Sequence, residues 1–130
     1  MNKLYESTYY QFEHDNDRMI NRWKNTTENM SFQEFKDALM NLAGFALEYQ
    51  TSKLLIDTRS FKFQLPPENE AFRNDVFNPR IAKLGTIRQA LIMPKEYMQY
   101  VRDELGDGVL VPTRYFADES EAIAWLDSAQ

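Results

Sequence analysis

Arg114-Tyr115-Phe116 leads into Asp118-Glu119-Ser120-Glu121 and then Ala122-Ile123-Ala124-Trp125-Leu126. An apolar strand, a capping box and a short helix follow one another there. Asp118 supplies the N-cap, with Glu121 three residues on. Ala122, Ile123 and Leu126 share a helical stripe flanked by Trp125. A strand closing against a capped helix is the unit of an α/β fold, and the rest of the chain divides in the same way.

Working back, Gln89–Met93 reads as a buried strand. Pro94 opens a helix carrying Tyr97, Met98, Val101 and Leu105, closed by Gly106-Asp107-Gly108. Leu110–Phe116 forms the last strand. A helix is predicted over Glu68–Lys83 with Phe72, Val76 and Phe77 inward. Pro79 should kink it near Asn78, because proline lacks an amide hydrogen and clashes with the preceding turn. Gly85 suits its C-terminal end. Thr58–Pro67 is the longest irregular stretch. Lys53–Asp57 is a nearly continuous apolar run, the pattern of a covered strand.

Ser31 and Glu34 form a second capping box. The stripe that follows is Phe35, Ala38, Leu39, Leu42, Phe45, Ala46 and Tyr49, with Gly44 inside it permitting close packing. Asn25–Asn29 is a polar loop. Thr8–Glu13 alternates aromatic and polar residues as a half-buried strand. It turns at His14-Asp15-Asn16-Asp17 and pairs with Met19–Lys24. The predicted order is ββαβαβαβα in one domain over residues 1–130, with a mostly parallel five-stranded sheet. Neighbouring strands joined by right-handed crossovers place the helices on one face and leave the other partly wet. Arg22, Lys24, Thr113 and Arg114 suit such a face.

Composition narrows the function classes. The 130 residues carry a net charge of −5, and a general nucleic-acid surface needs clustered Lys and Arg instead. With 14% aromatic residues, a bulky core is expected and disorder is not. Cysteine is absent, which removes disulfides, thiolate metal sites and cysteine nucleophiles. Met1–Glu6 lacks the apolar core of a secretory leader, and no stretch reaches membrane-spanning length. A soluble cytoplasmic protein without an integral membrane segment is the expectation.

Leu54-Leu55-Ile56-Asp57-Thr58-Arg59, together with the Arg114-Tyr115-Phe116 strand and the Ala122–Leu126 helix, resembles the STAS-like (SpoIIAA-like) group of small bacterial domains. The resemblance spans about Tyr5 to Leu126 and implies an N-terminal β-hairpin followed by a β–α superhelix. Relatives acting as anti-sigma-factor antagonists carry a phosphorylatable serine in an Asp-Ser-Ser-Gly segment after the third strand. Here the stretch is Asp57-Thr58-Arg59-Ser60-Phe61-Lys62. Only Asp57 matches, with Thr58 or Ser60 as hydroxyls, so the resemblance implies a fold more than a phosphorylation switch.

Asp57, Thr58, Arg59 and Ser60 follow the carboxyl end of a parallel strand, where open α/β sheets place ligands. Arg59 offers a bidentate fork for an anion; its ordinary alternative is pairing with Asp57. Phe61 and Phe63 alternate in an unusually apolar loop near Leu65, Phe72 and Phe77. They read either as core or as the wall of a groove or partner interface. His14, the only histidine, lies with acids in a turn whose spacing lacks the features of a calcium loop. Glu68, Glu70 and Asp75 complement a helix N-terminus. No catalytic constellation and no cofactor motif emerges. The expectation is therefore a non-enzymatic binding or regulatory module that docks a protein partner through Arg59, Phe61 and Phe63. Carriage of a small apolar ligand such as a lipid is the alternative. Homodimerisation is expected through Tyr9-Tyr10-Gln11-Phe12 as a sheet edge.

Overall fold

Period-two alternation in the strand Arg18–Trp23 divides the molecule. Met19, Asn21 and Trp23 face one way and Arg18, Ile20 and Arg22 the other, because successive side chains of a strand point to opposite faces. In the computed structural model, which describes residues 2–129, this strand lies inside a six-stranded mixed sheet. The strands are β1 (Asn2–Glu6), β2 (Tyr10–Asp15), β3 (Arg18–Trp23), β4 (Lys53–Asp57), β5 (Arg88–Ile92) and β6 (Thr113–Phe116), and they neighbour one another in chain order. The β1–β2 and β2–β3 pairs are antiparallel; the remaining pairs are parallel.

The α/β class and the central hairpin agree with the sequence reading; the five-stranded count does not. β1 adds a sixth strand with mostly exposed side chains and a register irregularity between Lys3 and Tyr5. It covers the edge expected at Tyr9-Tyr10-Gln11-Phe12, so that stretch is not free for isologous pairing. The hairpin turn is also tighter than expected. His14 belongs to β2 opposite Met19, and Asn16 takes the left-handed conformation at φ 53°, which asparagine tolerates.

Ser31 and Glu34 cap α1 (Phe32–Glu48) reciprocally, and its buried stripe of Phe35, Ala38, Leu39, Leu42, Ala43 and Ala46 packs on the Met19–Trp23 face. Gly44 is exposed, and a Cβ there would meet nothing within 4 Å. It does not mediate close packing. The next helical stretch runs as α2 (Glu68–Phe72), a π-helical turn (Arg73–Phe77) and α3 (Asn78–Lys83). The widened turn directly precedes Pro79, whose missing amide and ring would disrupt a regular α-helical ladder at this point. Phe77 is buried in the same core as α1, whereas Val76 is exposed, contrary to the expected inward stripe.

No regular helix forms after Pro94. A 3₁₀ turn spans Lys95–Tyr100, after which the chain becomes extended at Val101 and Glu104 bridges Thr113. Tyr97 and Leu105 remain exposed, so the apolar set that suggested a helix has no single face to bury. The last strand begins at Thr113, with Leu110 exposed before it. Finally, Asp118 caps α4 (Glu119–Asp127) by accepting from Glu121 N–H, which realises half of the expected box. Ala122 and Leu126 are buried against Ile20, Leu55, Ala90, Ile92 and Phe116. This helix lies on the face opposite α1, not on the same face. Among the described residues, no helix is long and apolar enough to cross a membrane.

Gly44→Ala tests the corrected role of this glycine. The open, helical position predicts a gain of about 0.5–1 kcal/mol in unfolding free energy by denaturant titration; destabilisation would show that the helix needs glycine there.

Candidate functional site

The carboxyl ends of β3 and β4 carry two different environments on the two sides of the sheet. On the α4 side, Arg22 reaches Glu13 at 2.8 Å from Nε, and from Nη1 Asp57 at 3.0 Å and Glu119 at 2.7 Å. Arg59 grips the same Asp57 with Nε at 2.9 Å and Nη2 at 2.8 Å, and reaches Glu119 at 3.1 Å. Its backbone N–H also donates to Asp57 Oδ1 at 3.1 Å. Burial pushes the Asp57 carboxyl up, but the Arg59 side-chain and backbone donors and the Arg22 guanidinium outweigh it and hold the group below its ordinary range. The Arg22 guanidinium is held more strongly protonated by its bonds to Glu119 and Glu13 despite desolvation. Glu119 sits in the first turn of α4, where a carboxylate also complements the helix dipole.

Arg59 is therefore engaged as the tie between strand end and helix, not as a vacant anion fork. Thr58 is anchored as well, with its backbone N–H and its hydroxyl both donating to the Ile92 carbonyl, at 2.7 and 2.6 Å. Ser60 is exposed in the turn beyond. Phe61 and Phe63 turn to the α1 side. The Phe61 ring lies 5.1 Å from Trp23 and 5.8 Å from Phe35, and Phe63 lies 6.4 Å from Phe35. A shallow groove of about 710 Å³ brings Thr58, Arg59, Phe61 and Phe63 together with Tyr97 and Tyr100. Asp57 remains behind it in the ionic cluster.

A second and more enclosed cavity of about 550 Å³ opens between α1, the α2–π-turn segment and the sheet. Trp23, Phe35, Leu39, Ile56, Phe61, Phe77 and Leu91 provide apolar walls. Such a volume and lining fall within the range of small-molecule sites, commonly about 300–1,000 Å³. Its polar members are few. Arg73, the first residue of the π turn, donates to the Tyr115 hydroxyl at 3.0 Å and pairs with Glu104 at 3.1 Å. Gln89 and Asn69 add amides, Glu70 a carboxylate and Thr58 a hydroxyl.

Sequence reasoning found the Phe61 wall and the loop but missed Trp23, Gln89, Arg73 and Tyr115. Gln89 carried a readable signal, being a polar residue within an otherwise apolar buried strand. Arg73 carried none, because its partners Glu104 and Tyr115 are distant in sequence. Among the described residues no group of three or more His, Asp or Glu side chains is arranged to hold a metal ion.

No family model, no curated protein and no solved structure matches this chain.

The two arginines should differ sharply on truncation. Arg22→Ala removes the cation from Glu13, which keeps only the Gln11 amide at 2.8 Å, and leaves Asp57 to Arg59 alone; with both carboxylates nearly buried it is expected to cost about 3 kcal/mol. The half-exposed Arg59 leaves Asp57 still paired to Arg22, so Arg59→Ala should cost at most about 1 kcal/mol. Chemical denaturation of both variants checks the ranking, and a larger loss for Arg59→Ala contradicts it.

Proposed function

We propose that this protein is a non-enzymatic binding module of STAS-like type whose half-open apolar cavity takes a small, largely apolar ligand. The observation carrying the proposal is the cavity itself: about 550 Å³ walled by aromatic and aliphatic side chains at the carboxyl ends of parallel strands. Open α/β sheets place their ligands at that end because the connecting loops diverge there. The engagement of Arg59 by Asp57 and Glu119 turns the reading away from Arg59 as polar anchor for a protein. The packing of Phe61 on Trp23 and Phe35 likewise makes that ring a wall of the cavity.

The STAS-like assignment is supported by the antiparallel β2–β3 hairpin leading into parallel strands in chain order, with helical connections from β3 to β4 and from β4 to β5. A cytoplasmic setting belongs to the same proposal. Protein docking remains a second reading, favoured by one observation. Tyr100 is 75% exposed and Tyr97 54% exposed beside the shallow groove that Phe63 also lines, and aromatic residues presented in this way commonly anchor interfaces.

Filling the cavity from its floor tests the ligand reading. Leu91→Trp should keep a cooperative thermal transition, because an empty cavity accepts the larger ring that a packed core would reject at a cost of about 1–3 kcal/mol. The same variant should lose the fluorescence enhancement of N-phenyl-1-naphthylamine that the wild-type protein produces. Undiminished enhancement in a folded variant, or none with the wild type, refutes the proposal.

A further inference from the structure

The cavity and the shallow groove have a wall in common. Thr58, Phe61, Met93 and Val101 line both. One flank of the groove is the loop after β4, and that flank is pinned. Phe61 N–H donates to the Thr58 carbonyl at 3.1 Å and Lys62 N–H to Thr27 Oγ1 at 2.8 Å, while the Phe61 ring packs on Trp23 and Phe35.

The other flank, Pro94–Arg102, is held only at its ends. Met93 N–H donates to the Phe116 carbonyl at 2.9 Å, and Glu104 exchanges two backbone bonds with Thr113, at 2.8 and 2.9 Å. Asp103 accepts from the Tyr115 N–H and from the Arg114 guanidinium, both at 3.0 Å. Between these anchors, among the described residues, every hydrogen bond closes within the segment. Tyr97 N–H meets the Pro94 carbonyl at 2.9 Å, Val101 N–H the Met98 carbonyl at 3.4 Å, and the Gln99 side-chain amide the Glu96 carbonyl at 3.2 Å. No residue of its 3₁₀ turn is buried. A stretch with local bonds and little buried apolar surface opens at a far lower free energy than a sheet strand.

Such a segment is moved only by something that contacts its two positions differently. A ligand in the half-open cavity meets that condition, because Val101 borders the cavity and the groove alike. Drawn inward, the segment carries its exposed rings Tyr97 and Tyr100 toward Phe61 and Phe63 across the groove. Ring burial of that kind is favourable and holds the closed position.

Resting on the binding reading above, we infer that Pro94–Arg102 is a strap that closes over a ligand seated in the cavity, with Tyr97 and Tyr100 as its gripping side chains.

Amide hydrogen exchange of the whole chain, with and without N-phenyl-1-naphthylamine, tests the strap. In the free protein the Tyr97 and Val101 amides should exchange on the order of a hundredfold faster than those of β5, at rates insensitive to low urea. Saturating probe should slow both amides at least about tenfold while Gly108, beyond the strap, is unchanged. Tyr97→Ser combined with Tyr100→Ser removes two exposed rings, so its thermal midpoint should stay at the wild-type value while probe affinity falls roughly tenfold. Free-state exchange at Tyr97 and Val101 as slow as in β5 overturns the strap. So does unchanged exchange there with the probe bound, or full probe affinity in the double variant; the cavity then stands as a binding site without a cover. Absence of probe binding by the wild type overturns this inference together with the binding reading.

Discussion

Arg22 is the constraint on which the arrangement depends. It projects from the strand between the antiparallel and parallel halves of the sheet, and joins Glu13 on β2, Asp57 on β4 and Glu119 on α4. A charge in that position is expensive to desolvate, and its attraction to three carboxylates offsets that cost only while every partner is in place. Its effect is positional: α4 is fixed over the sheet at its N-terminal end. Arg18, two residues earlier on the same face, holds the other end through Asp127 at 2.6 Å. That second contact places a cation by a helix C-terminus, which suits the dipole that Asp127 alone would oppose. Ala122 and Leu126 are then pressed onto Ile20, Leu55 and Ile92 between the two ionic clamps.

With one side of the sheet closed in this way, the cavity lies on the other side. The two halves of that opposite face are filled unequally. Tyr10, Phe12, Met19 and Leu42 make a continuous core beneath α1. Toward β5 and β6 the cover thins, because the helical segment after the loop is short and interrupted by a π turn, and because the β5–β6 connection forms a 3₁₀ turn and not a full helix. The cavity lies where cover is missing. Its existence therefore follows from Pro79 disturbing one helix and from the Lys95–Tyr100 segment failing to make another. A π turn inside a helix often marks such a place, and here it supplies Arg73 and Phe77 to the lining.

Legibility in the sequence followed the range of the interactions. The Ser31–Glu34 box, the Asp118 cap and the apolar runs of β4 and β5 depend on neighbours within a few residues, and they were readable. β1 was not, because Asn2-Lys3-Leu4-Tyr5-Glu6 is mostly exposed and lacks a clean alternation; its pairing is decided by the available edge of β2. The Tyr97–Leu105 stripe misled because it has helical spacing but no face to pack on. The loop after Asp57 is legible by position and the Asp57 pairing of Arg59 by proximity, whereas its second partner Glu119, 60 residues away, is not. Gln89 is a polar residue in an otherwise apolar strand, but only the packing shows what it borders. Asn21 is fully buried with neither side-chain polar atom paired, and we have no physical account of it.

The central claim is that the sheet face opposite α4 contains a preformed apolar cavity beside β4 and β5. Xenon uptake followed by methyl resonances measures this directly, because xenon partitions into apolar pockets irrespective of ligand chemistry. The account predicts saturable shifts concentrated on Leu39, Ile56 and Leu91, with Leu55, Ile92 and Leu126 under α4 unaffected. Shifts of equal size on both faces, or no saturable shift at Leu39, Ile56 and Leu91, would contradict it.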